Sequence, residues 1–183
     1  MAGIEPANRA ANPAGAKNPP GGVVDRKPLR RIALSGFLFG CGIAASMIDL
    51  FIFHLSLQWH HFYDLSTLQV ALTADGFFHA FGWFITIGGL FLLADIRRRT
   101  GVNWRHWAGG VVLGAGVFQL FDGIVDHKVL RIHQIRYNVD LLPYDLVWNG
   151  TAAVVIVIGL LVLWRTGRTA RAAAVRTGDS GRP

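Results

Sequence analysis

The stretch 48-IDLFIFHLSLQWHH-61 decides how this chain is read. It starts inside an apolar run suited to lipid, yet it carries Asp49, His54, His60 and His61. Ionisable groups in or beside hydrocarbon are costly and are kept where they have a partner or a task. Working outward, the same run begins near Ile32, and three more apolar blocks follow it. The four cover approximately Ile32–Phe53, Leu68–Ala94, Trp107–Val125 and Tyr144–Trp164. Each is near the roughly 20 residues that cross about 30 Å of hydrocarbon. The 183 residues are 52% hydrophobic and only 16% charged, with a mean hydropathy of +0.38. The expectation is an all-α bundle of four transmembrane helices in a lipid bilayer.

The formal net charge of +7 does not indicate nucleic acid, because the basic residues alternate with the spans. Six Lys/Arg lie in Arg9–Arg31, four in the middle loop (Arg97, Arg98, Arg99, Arg105) and five in Arg165–Arg182. Those 15 of 18 fall on one side of a four-span topology, while Lys128, Arg131 and Arg136 fall on the other. Basic loops stay in the cytoplasm, so both termini are expected there. Residues 1–28, rich in Ala, Pro, Gly and Asn, read as a disordered tail, and residues 166–183 as a basic one. The membrane domain is then 29–165. Cys41 has no second cysteine to pair with, so disulfides take no part.

The opening stretch has a partner. Asp49-x4-His54-x5-His60 recurs with the same intervals as Asp122-x4-His127-x5-His133. Gly36-x3-Gly40-x-Gly42 recurs as Gly110-x3-Gly114-x-Gly116, at an offset larger by one, so a single residue distinguishes the two copies. Asp75-x3-His79 has a fainter echo in Asp145-x3-Asn149. The chain reads as two copies of a helical hairpin, related by a pseudo-two-fold axis along the membrane normal. Small residues four apart let transmembrane backbones approach closely.

Six of the seven histidines and seven of the eleven acids fall on the side away from the termini, His106 being the exception. Along a helix entering near Leu68, Asp75 lies roughly 10 Å deep and His79 roughly 16 Å, on one face. On an ideal α-helix, Asp49 and His54 point about 140° apart, and Asp49 and His60 lie about 16 Å apart. No single span then supplies a site, and one has to be assembled between helices. The candidate ligands are Asp49, His54, His60, His61, Asp75, His79, Asp122, His127, His133 and Asp145. Imidazoles with carboxylates suit copper(II), zinc or iron, whereas two Met and one Cys offer little to copper(I). Haem held by two histidines is an open variant. Three bland readings stand beside this one. Trp59, His60 and His61 would suit an interfacial belt; Asp64, Asp126, Lys128, Arg131, Arg136 and Asp140 would be ordinary surface charges; and Asp49, Asp75, His79 and Asp122 would form a satisfied hydrogen-bond network that locks the two halves together.

At "MIDLFIFHLSLQWHH", "ADGFFHAFGW", "FQLFDGIVDHKVLRIHQIRYN" and "DLVWNG" the sequence resembles a family of bacterial integral membrane proteins, domain of unknown function 2243. The resemblance spans about residues 32–165. Leu50 stands where a glycine commonly follows the first Asp, and Asp122 where Glu is common. The resemblance implies a plasma-membrane location but names no activity; some relatives suggest a link to assembly of copper-dependent respiratory oxidases. From the residues, three function classes follow: a metal-binding protein, a metal-dependent enzyme acting on a lipid-soluble substrate, and a proton or ion pathway or subunit. A respiratory complex or a second copy of the chain is the partner each would fit.

Overall fold

The computed structural model describes residues 27–179, and all its long elements are helical. Helix α1 (Lys27–Ile43) continues without a break into a wider π-helical segment, π1 (Ala44–Ser56). Helix α2 covers Leu68–Arg99. Helix α3 (Trp104–Phe121) likewise continues into π2 (Asp122–Leu130), and α4 covers Leu141–Asp179. Four spans are long and apolar enough to cross a membrane: Lys27–Ser56, Leu68–Arg99, Trp104–Leu130 and Leu141–Arg176. Their outer surfaces are apolar, with Phe77, Phe84 and Phe91 each more than 70% exposed. The buried positions are instead largely polar or small, as in a bundle whose solvent is lipid.

Helix α4 runs past the expected end at Trp164. Residues 166–179, expected in the basic tail beyond the membrane domain, are helical, with Ala and Arg, both strong helix formers, making up much of the stretch. Pro28 sits in the first turn of α1, where its missing N–H costs nothing. The remainder of the expected tails, residues 1–26 and 180–183, lies outside the described residues.

Helices α1 and α3 pack together at the centre; α2 flanks α1 and α4 flanks α3. The central contact is made by the repeated glycines, and it is reciprocal. A Cβ on Gly36 would sit beside the Trp107 carbonyl, and one on Gly110 beside the Ala33 carbonyl, the equivalent positions exchanged. Gly40 against Val111 O and Gly114 against Phe37 O repeat the exchange one turn on. Contacts that advance together along both helices make α1 and α3 parallel. Within each hairpin the order runs backwards: Ser35 Oγ donates to Gly89 O while Ser46 packs on Gly82, and Gly109 meets Val162 while Gly116 meets Ile156. The expected two parallel-repeat hairpins are therefore present.

The one-residue offset has a structural place. Gly36 to Asp49 is one residue longer than Gly110 to Asp122, and the extra residue falls where π1 has begun. A π turn is an α turn with one residue added. The π segment is 13 residues in the first copy and nine in the second.

Candidate metal centre

The wider helix changes the geometry expected of the Asp/His pairs. The i→i+5 closure of a π-helix brings residues five apart onto one face. His54 Nε2 accordingly lies 3.3 Å from Asp49 Oδ2, and His127 Nε2 lies 3.2 Å from Asp122 Oδ2. The wide angular separation derived for an α-helix does not hold here. Nor does the long axial separation of Asp49 from His60. After π1 the chain reverses through Gln58 at φ 50, and after π2 through Arg131 at φ 54, equivalent residues both left-handed. The Trp59 N–H closes on Phe53 O at 2.9 Å, and the Ile132 N–H on Asp126 O at 3.1 Å, matching helix caps. Each reversal folds a histidine back into the bundle. His60 Nε2 reaches 4.0 Å from Asp49 Oδ1, and His133 Nε2 reaches 3.3 Å from Asp122 Oδ1.

One span and its following turn thus bring an Asp and two His together, twice over, contrary to the expectation that no span could. Asp49, His54, His60, Asp122, His127 and His133 are all buried inside the protein, 4% exposed or less. The interfacial-belt reading of His60 fails for the same reason.

The halves interlock at this level too. The His60 Nδ1–H donates to Ile135 O at 2.8 Å, and the His133 Nδ1–H to Phe62 O at 3.0 Å. Phe62 and Ile135 are themselves equivalents, so the exchange has the same two-fold character as the glycine contact. The two rings stack at 4.7 Å between centroids, 18° from parallel. A carbonyl only accepts, so each Nδ1 carries the proton and each Nε2 of the neutral ring is a bare lone pair. In the first half, His54 Nδ1 faces Asp75 Oδ1 at 3.0 Å, leaving its Nε2 toward Asp49. Asp75 also accepts from His61 Nδ1 at 2.7 Å and from the Phe62 N–H at 2.6 Å. His79 donates from Nδ1 to Ala45 O at 2.6 Å and turns Nε2 toward His54 Nδ1 at 3.2 Å.

The two stacked histidines respond oppositely to protons. His60 is pushed down to about 4, by burial first and then by the neighbouring His133. Burial also opposes charge on His133, but the Asp122 carboxylate outweighs it and raises that ring above its ordinary value.

Buried polar atoms are ordinarily hydrogen-bonded. Here Asp49 Oδ1, His54 Nε2, His60 Nε2, Asp122 Oδ2, His127 Nε2 and His133 Nε2 have no hydrogen-bond partner among the described residues. They are the atoms that face one another. Three sets bring ligand atoms within 4.8 Å of each other: Asp49/His54/His60, His60/His127/His133 and His54/Asp75/His79. The donor set fits a transition-metal ion.

Two sequence candidates stand apart. Asp145 Oδ2 pairs with Lys128 Nζ at 2.6 Å, and His61 is part-buried and holds Asp75 instead of facing the other imidazoles. Asp126, read as a surface charge, is 3% exposed with an unpartnered Oδ2. Its equivalent is Phe53, so the repeat gave no signal for it. Asp140 is exposed, as expected, whereas Asp64 is half-buried and accepts from the His61 N–H at 3.1 Å. The Phe62 and Ile135 carbonyls carry no side-chain signal at all.

The family model described as predicted membrane protein (DUF2243) matches residues 35–166. The chain belongs to the DUF2243 family. The match takes in both copies of the repeat, the second and third spans whole, most of the first and fourth, and every residue of the centre. No curated protein and no solved structure matches the chain.

Proposed function

We propose that this DUF2243 protein binds a transition metal on the membrane face away from its termini. The observation that carries the reading is the set of unpartnered imidazole Nε2 and carboxylate oxygens that face one another, with the Nδ1 of His54, His60 and His133 already engaged. Metal-ligating histidines characteristically give their second ring N–H to a carbonyl or carboxylate, and His54, His60 and His133 do so. Nitrogen and carboxylate donors without thiolate favour zinc, copper(II) or iron. A bare ion suits the packing better than haem, since the stacked His60 and His133 rings leave no slot for a macrocycle between them. The distribution of basic residues supports an orientation with that face outside the cytoplasm of a bacterial plasma membrane. Protein purified in detergent without chelator and analysed for metal tests the reading. Near-stoichiometric zinc, copper or iron supports it, and metal-free protein of full native stability refutes it.

A second reading, a metal-dependent enzyme for a lipid-soluble substrate, has one observation in its favour. A cavity of about 210 Å³ lined by Ile48, Ile52, Phe53, Phe118, Gln119 and Trp148 reaches Asp49. Ile48 and Ile52 are more than 40% exposed on the surface the bilayer would cover. A bound ion would supply an activated water there, with Asp49 beside it to take a proton. Turnover of a lipid-soluble ester that requires Asp49 and metal would favour this reading over passive binding. A link to respiratory oxidase assembly, or a homo-oligomer, is tested by co-purification from membranes.

A further inference from the structure

We infer that the centre holds two metal ions, one per repeat, and that the two sites differ in affinity. This inference rests on the metal-binding reading above. Each copy supplies an Asp and two His: Asp49, His54 and His60 in the first, whose ligand atoms lie within 4.8 Å of one another, and Asp122 with His127 and His133 at 3.2 and 3.3 Å in the second. Within each set both imidazole Nε2 atoms face the two oxygens of one carboxylate, at 3.3 and 4.0 Å in the first and 3.2 and 3.3 Å in the second. A tetrahedral ion with bonds of about 2.0–2.1 Å holds its ligand atoms roughly 3.3–3.4 Å apart. Three of the four distances are near that spacing, and His60 Nε2, at 4.0 Å from Asp49 Oδ1, has to move inward by roughly half an ångström.

A single ion shared across the axis meets an obstacle at the stacked histidines. An imidazole binds metal in the plane of its ring. The His60 and His133 rings stack 18° from parallel with centroids 4.7 Å apart, so one ion does not readily lie in both ring planes. Their orientations are fixed by the exchanged Nδ1–H bonds to Ile135 O and Phe62 O. His60 also comes within reach of His127 and His133, which is the arrangement a single axial ion would use. Counting ions decides between the two.

The sites are unequal because their supports are. His54 is backed by Asp75, which His61 and the Phe62 N–H hold in place. His127 Nδ1 has no hydrogen-bond partner among the described residues. In the second hairpin, the acid that echoes Asp75 is Asp145, drawn away by Lys128, and Asn149 replaces His79. Loss of such a supporting carboxylate typically weakens a metal site 10–100-fold. The first copy is therefore the tighter site by about that factor.

The test uses the full chain, stripped by chelator in detergent and titrated with zinc and with cobalt(II), with ion counts by elemental analysis. Two ions per chain, bound in two steps separated at least about tenfold, are expected. Asp49→Asn should remove the tighter step and keep the weaker, and Asp122→Asn the reverse. One ion per wild-type chain, or equal affinities, overturns this inference alone. No ion overturns the metal reading and this inference together. Should a variant fail to fold, the wild-type count and step spacing stand as the test.

Discussion

Adding a single methyl group at Gly114 should pry the two hairpins apart. A Cβ there would lie 2.1 Å from Phe37 O and 2.8 Å from the Cys41 N. An ordinary carbon–oxygen contact needs about 3.3 Å, so α1 and α3 must separate by about 1.2 Å at that level. Both obstacles are backbone, so no side chain can swing aside. Overpacking of this kind costs about 1–3 kcal/mol. If the opening propagates along the helices to the turns, the His60–Ile135 and His133–Phe62 bonds lengthen beyond hydrogen-bonding reach from 2.8 and 3.0 Å. Losing two such bonds adds about 1 kcal/mol each, for a total of roughly 3–5 kcal/mol. Unfolding in detergent followed by circular dichroism measures it. Gly88→Ala is the control, since nothing lies within 4 Å of a Cβ at that position. Gly114→Ala with the same unfolding midpoint as Gly88→Ala would refute the reciprocal close packing.

Three further outcomes follow from the same geometry. Asp75→Asn leaves one acceptor oxygen where His54, His61 and the Phe62 N–H now converge, so metal affinity measured by titration should fall about 10–100-fold; unchanged affinity would remove Asp75 from the site. Gln58→Val puts a β-branched residue at φ 50, which should cost about 1–2 kcal/mol and displace His60, seen as lower stability together with weaker binding. His60, held near 4 in the fold against about 6.5 unfolded, stabilises the neutral form above pH 6.5 and loses that contribution as pH falls toward 4. The stability gap between metal-free wild type and His60→Gln should accordingly narrow by about 2 kcal/mol from pH 7 to pH 5, and a constant gap would contradict the assigned burial.

The spans, the duplication and the membership of the polar cluster were legible because each leaves a periodic trace: apolar length, glycines four apart, Asp and His at fixed intervals. What the sequence concealed was helix type. In an α-helix the partners in Asp49-x4-His54 and Asp122-x4-His127 point apart, whereas π-helical closure turns them together. The same five-residue interval appearing twice was the available signal. The reversals at Gln58 and Arg131 left no trace, since neither is the glycine or asparagine that usually marks a left-handed residue. The Asp75 support was half visible: its spacing from His79 put both on one face, but its bond to His54 belongs to tertiary packing. Asp126 lay beyond reach, a buried acid whose repeat equivalent is Phe53.

The central claim is that the duplicated Asp/His sets are metal ligands and not a purely structural polar lock. Elemental analysis of the wild-type protein beside the double variant His54→Ala/His127→Ala, both purified without chelator and shown folded by circular dichroism, tests it most directly. Near-stoichiometric zinc, copper or iron is expected in the wild type, with most of it lost from the variant. Equal metal content in the two, or none in a stable wild type, would contradict it.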